Sequence, residues 1–85
     1  MISHDSEWDA GEMGCGELVV ELRARLRALP AGATLRLRAL DPGAPADIPA
    51  WCSLTGNALV SAAPPFYWIR RKAERSTSEP SLPVG

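Results

Sequence analysis

Residues 15–40 read CGELVVELRARLRALPAGATLRLRAL, and two different periodicities meet inside them. Leu18, Val19, Leu22, Leu26 and Leu29 fall on one stripe at i, i+1, i+4, i+8 and i+11, which predicts an amphipathic helix over about 16–29. Glu17 and Glu21 lie toward its positive end and Arg25 and Arg27 toward its negative end, as the macrodipole prefers. Pro30-Ala31-Gly32 stops it. From Thr34 to Leu40 the period drops to two: Leu35, Leu37 and Ala39 point one way, Thr34, Arg36 and Arg38 the other. That is a strand with one buried and one wet face.

Working outward, residues 1–5 are expected to be a flexible N-terminus and 6–10 a short strand, followed by a glycine-flanked loop over Glu12-Met13-Gly14-Cys15-Gly16. Beyond residue 40, Asp41-Pro42-Gly43 is a turn. A second helix over about 45–55 is expected to start among Pro45, Asp47 and Pro49, because proline suits a first turn. Gly56-Asn57 is a helix stop, residues 58–63 read as a strand, Pro64-Pro65 as a connection and Phe66 to Lys72 as the last strand. From residue 73 on, Ser, Thr, Pro and Glu dominate, the composition of a disordered tail over 73–85. The expected fold is an α/β two-layer sandwich over residues 6–72. Its order is β-α-β-α-β-β, with a four-stranded mixed sheet and both helices on one face.

Eighty-five residues suit one domain with one thin core. No apolar run approaches the roughly 18–20 residues that span a bilayer, and the acidic start lacks the basic and apolar regions of a signal peptide. Two cysteines are too few for a disulfide framework, so a reducing cytoplasm is the expected compartment. The formal net charge of -1 argues against tight nonspecific nucleic-acid binding. It conceals a segregation: six acids and no base in residues 1–21, then five arginines and no acid in residues 22–40.

Cys15 is the leading candidate for chemistry. It stands at the head of the first helix, where unpaired N–H groups and the dipole favour a thiolate. Gly14 and Gly16 leave the sulfur open, and Glu17 completes the supporting loop and helix start. A thiolate so placed is a nucleophile or a sulfur carrier; a small capping hydrophobe is the other reading. The position predicts an exposed sulfur with a lowered pKa, alkylating faster than Cys52, which is read as a core residue of the second helix. The one histidine, His4, lies in the flexible terminus, and the cysteines are far apart in sequence, so no metal site is expected. No cofactor is expected. Asp41 and Asp47 are read as turn and helix-start residues; with Trp51, Arg36 and Arg38 they are candidates for a partner-docking surface.

Several spaced segments resemble the TusA/SirA family of small sulfur-carrier proteins. The stretch from Asp9 to Leu18 is similar to the family's opening strand, short loop and Cys-Pro-x-Pro helix start. Pro30-Ala31-Gly32-Ala33-Thr34-Leu35 looks like its P-G-x-x-L turn, and Asp41-Pro42 like its Asp-Pro loop. Asp47-Ile48-Pro49-Ala50-Trp51-Cys52 looks like its Asp-Ile-Pro-x-aromatic segment. Thr55 to Val60 and Phe66 to Lys72 resemble its last two strands, so the likeness runs over about residues 8–72. It implies the same β-α-β-α-β-β sandwich and a cytoplasmic relay. In such a relay Cys15 accepts sulfane sulfur as a persulfide from a cysteine desulfurase or rhodanese and passes it to an acceptor protein. Destinations in the family include tRNA thiolation, cofactor synthesis and sulfur oxidation. Gly16 and Leu18 stand where the family has its two prolines, so Cys15 is expected to be held less rigidly and its pKa lowered less. Two rival readings remain: a regulatory binding module that kept the fold without the sulfur chemistry, and an RNA-associated module using Arg23, Arg27, Arg36, Arg38 and the cluster Arg70-Arg71-Lys72.

Overall fold

The structure, a computed structural model, describes residues 3–72. Six elements follow in the order β1 (Ser6–Gly11), α1 (Cys15–Arg27), β2 (Thr34–Ala39), α2 (Ala44–Thr55), β3 (Ala58–Ala63) and β4 (Phe66–Arg70). The strands form one sheet in the order β1-β2-β4-β3. β1 and β2 are parallel, joined by a strand–helix–strand crossover, and β4 runs antiparallel to both β2 and β3. The tail expected over 73–85 lies outside the described residues. The start of the chain is tied in by Asp5, whose backbone N–H donates to the Thr34 carbonyl at 2.8 Å while its Oδ2 accepts from the Thr34 N–H at 2.9 Å.

The two periodicities of residues 15–40 decide which surfaces meet. Leu18, Leu22 and Leu26 of α1 and Leu35, Leu37 and Ala39 of β2 are all buried in one cluster with Ala44, Ile48 and Cys52 of α2 and Tyr67 and Ile69 of β4. Both helices therefore cover one face of the sheet, with each fully buried leucine or isoleucine contributing about 1.5–3 kcal/mol. Arg36 and Arg38 occupy the other face. Arg36 Nη2 donates to Glu7 Oε1 at 3.1 Å, and Arg38 Nη1 to both oxygens of Asp9 at 2.9 Å. These partners are register neighbours across the parallel pair, so the segregation of acids and arginines along the chain becomes a ladder of ion pairs.

One expectation needs correction. Pro49 is not in a first turn: α2 begins at Ala44, with Pro45 in its opening turn and Pro49 inside the helix. The backbone bond that Pro49 cannot make is outweighed by the apolar face of Ala44, Ile48 and Cys52, spaced at i, i+4 and i+8 and all buried. α2 closes on Gly56, whose φ of 85° is the left-handed conformation that glycine adopts without strain. Both outer strands carry a register shift, between Asp9 and Gly11 in β1 and between Leu59 and Ser61 in β3. Gly11 makes the first of these with a φ of 59°.

Candidate functional site

Because β1 and β2 are parallel, the loops that follow them leave from one edge of the sheet, the edge where α/β sheets place their sites. The first loop delivers Cys15 as the first residue of α1. Gly14 is the N-cap and supplies no side-chain cap, and its carbonyl takes the Leu18 N–H at 2.8 Å. The second loop delivers Asp41, which folds back through two Oδ2 contacts. The Cys15 Sγ–H donates to it at 3.0 Å and the Gly43 N–H at 2.9 Å. Asp47, one turn into α2, brings a second carboxylate to the same sulfur. Gly43 makes this convergence possible, since a Cβ there would stand 3.0 Å from Asp41 Oδ2 and 3.1 Å from Asp47 Oδ2.

This geometry reverses the expectation for the thiol. Cys15 is half-buried rather than open, and its pKa is pushed up to about 12. Burial is the largest cause; the hydrogen bond to Asp41, the bond to Asp47 and the negative charge of both follow. The helix N-terminus does favour the thiolate, but two carboxylates at hydrogen-bond range outweigh a partial charge. Cys52 is also raised, to about 11, by burial alone. At neutral pH both sulfurs are thiols, and Cys15 holds its proton on the line to Asp41.

The other predicted site residues divide into two groups. Gly14, Gly16 and Glu17 form the helix start around Cys15 as expected, and Asp41 and Asp47 join it. Arg36 and Arg38 do not: they lie on the opposite face of the sheet, engaged with Glu7 and Asp9. Trp51 packs partly buried against the core and lines a groove of about 460 Å³ with Arg23, Arg27 and Leu54. Leu54 is 86 % exposed, and Val20 on α1, also beside Arg23, Arg27 and Trp51, is 70 % exposed. Cys15, Asp41 and Asp47 also bring a thiol and two carboxylates within 4.8 Å of one another, a donor set that a search confined to His4 and the two cysteines overlooks. In the arrangement described, the thiol proton occupies the space between sulfur and Asp41.

Tyr67 is the residue that sequence reasoning missed. In Phe66-Tyr67-Trp68-Ile69-Arg70 the alternation turns Tyr67 and Ile69 inward, so a phenol stands on an otherwise apolar face. Its hydroxyl is buried with no hydrogen-bond partner among the described residues, a condition that costs about 1–3 kcal/mol. A polar residue at an inward position of a strand was the available signal.

Comparison with known proteins matches the family model "Sulfurtransferase TusA" over residues 7–70. The sulfur carrier protein TusA of Pseudomonas entomophila (strain L48) is 39% identical over 75 residues, covering 84% of this chain and 94% of the relative. That of Pseudomonas syringae pv. syringae (strain B728a) is 39% identical over 74 residues, covering 82% and 88%, and that of Pseudomonas aeruginosa (strain LESB58) 38% over 76 residues, covering 85% and 96%. The family model spans most of the chain, and relatives 39% identical match more than four-fifths of it: the chain belongs to the TusA sulfurtransferase family.

Proposed function

We propose that this protein is a sulfur carrier in which Cys15 bears the sulfur. The observation that carries the reading is the hydrogen bond from Cys15 Sγ to Asp41 Oδ2, which holds the one thiol at the head of α1 in a fixed place at the mouth of the two loops. In the loading step a donor protein presents a persulfide. Cys15 Sγ gives up its proton and attacks the terminal sulfur. The donor's S–S bond breaks and its own sulfur leaves as the thiolate, taking up a proton. One sulfur moves and no outside oxidant or reductant is needed. Unloading repeats the exchange with an acceptor thiol.

The partners in this scheme are proteins. The exposed apolar side chains Val20 and Leu54 flank Trp51 beside Arg23 and Arg27, a surface suited to an acidic partner with an apolar anchor. Cysteine desulfurases and rhodaneses are the donor classes that this chemistry fits, in a reducing compartment such as the cytoplasm. No helix among the described residues is long and apolar enough to cross a membrane. The RNA-associated reading loses support from Arg36 and Arg38, both paired with acids.

The test is mass spectrometry after incubation with a cysteine desulfurase and cysteine. The expected product carries one added sulfur; Cys15→Ser abolishes the gain and Cys52→Ser keeps it. A Cys15 that gains no sulfur from any desulfurase, rhodanese or inorganic polysulfide would overturn the reading in favour of the regulatory module.

A further inference from the structure

Two buried side-chain polar atoms find no hydrogen-bond partner among the described residues, Tyr67 Oη and Trp68 Nε1. Trp68 alternates with Tyr67 and pairs in register with Arg36, so it belongs to the sheet face away from the helices. Tyr67 is on the helix side, 1% exposed, and stands in register with Leu37 near the edge from which the Cys15 and Asp41 loops leave. Cys15 packs, partly buried, against the same buried cluster that contains Tyr67, and burial pushes the phenol up.

Resting on the carrier reading, we propose that the Tyr67 hydroxyl is the binding group for the sulfane sulfur of loaded Cys15. Loading changes what Cys15 needs from its neighbours. The thiol donates a proton to Asp41, whereas a persulfide anion is an acceptor and carries its charge on the outer sulfur. Ionised Asp41 and Asp47 only accept hydrogen bonds, so the contact that stabilises the empty carrier repels the loaded one. The outer sulfur turns away from the carboxylates toward the buried O–H, which has no acceptor among the described residues. Loading gives that hydroxyl an acceptor. The bound sulfane sulfur is thereby shielded from solvent until an acceptor protein docks.

The experiment loads wild type and Tyr67→Phe with inorganic polysulfide, which transfers one sulfur to the Cys15 thiolate and departs one sulfur shorter. No donor protein is involved. Cyanide then removes the sulfane sulfur as thiocyanate, and the rate is followed in both proteins. The expected result is loss several-fold faster in Tyr67→Phe, with the unloaded variant melting at or above the wild-type temperature because an unsatisfied hydroxyl has been deleted. Tyr67 is the one tyrosine of the chain, so the tyrosine Raman doublet of wild type reports its hydrogen bonding alone and is expected to shift on loading. Equal cyanide rates in the two loaded proteins, or an unchanged doublet, overturn the proposal and leave the carrier reading standing. An unloaded variant that melts lower than wild type overturns it too, since the hydroxyl would then have a structural partner. Failure of polysulfide to load Cys15 in either protein overturns both.

Discussion

Glu7 and Asp9 on β1 face guanidinium groups, whereas Asp41 and Asp47 at the start of α2 face a thiol, and the two pairs of acids do opposite things. On the open face Arg38 holds the Asp9 carboxyl below its usual range, and each charge is answered by its opposite in the next strand. At the Cys15 corner, burial and then two negative groups hold a neutral partner neutral. The first arrangement settles charge that already exists. The second prevents a charge from forming. Exposed ion pairs of the first kind contribute little to stability, so the chemical difference between the faces exceeds the energetic one.

The largest effect is expected from removing the guard. Asp41→Asn combined with Asp47→Asn deletes both negative charges while leaving the thiol half-buried, so the Cys15 pKa should fall. Iodoacetamide labelling of Cys15 at neutral pH should accelerate by about tenfold for each pK unit recovered, somewhat less because a more acidic thiolate is a weaker nucleophile. Peptide mass spectrometry separates Cys15 from Cys52. An unchanged rate would mean that burial alone sets the thiol's pKa.

A second prediction concerns alkaline pH. Folding raises both cysteines above the ordinary thiol value of 9.0, Cys15 to about 12 and Cys52 to about 11. The folded state therefore binds these protons more tightly than the unfolded one. The associated stability is complete below about pH 9 and is lost as pH rises through the folded values. Melting midpoints should fall progressively between pH 9 and 11, and the slope should be shallower in Cys52→Ser and in Cys15→Ser. Parallel slopes in all three proteins would remove the cysteines from the account.

The smallest effect belongs to the open face. Asp9→Asn removes the acceptor of Arg38 and should shift the melting midpoint at neutral pH by no more than about 2 °C. Because the Asp9 pKa is lowered from 3.8, its contribution is present above that value and disappears as pH falls below it. The wild-type and variant curves should converge in acid. A large loss at pH 7 would show that the ladder orders β1 and does more than decorate it.

The sequence makes the layers legible because each periodicity is local. Leu18, Leu22 and Leu26 declare a helix face, and Thr34–Ala39 declares a strand face, within windows shorter than 15 residues. Cys15 is legible as the head of a helix. Its partner was not, since Asp41 lies 26 residues away and the pair exists only because two parallel strands end at the same edge. Two parallel neighbours imply that their following loops meet, whereas the helix dipole is a local rule that carries no information about Asp41. Taken alone, the dipole gives the wrong sign for the thiol's pKa. Pro49 was misplaced for a related reason: a local rule about proline yields to the buried face of Ala44, Ile48 and Cys52.

The register shifts in β1 and β3 bear on how the sheet ends. These are the two rims of the sheet, and a rim presents unpaired N–H and C=O groups that invite another strand to add on. β3, with the sequence ALVSAA, has no charged side chain to discourage such growth, and β1 is charged chiefly toward its own neighbour. Each rim is interrupted instead, by the break at Asp9/Gly11 on one side and at Leu59/Ser61 on the other. A strand offered from a second copy meets a ladder that changes step partway along and cannot stay in register with it. Both margins of the sheet are thus interrupted partway along, one break at each.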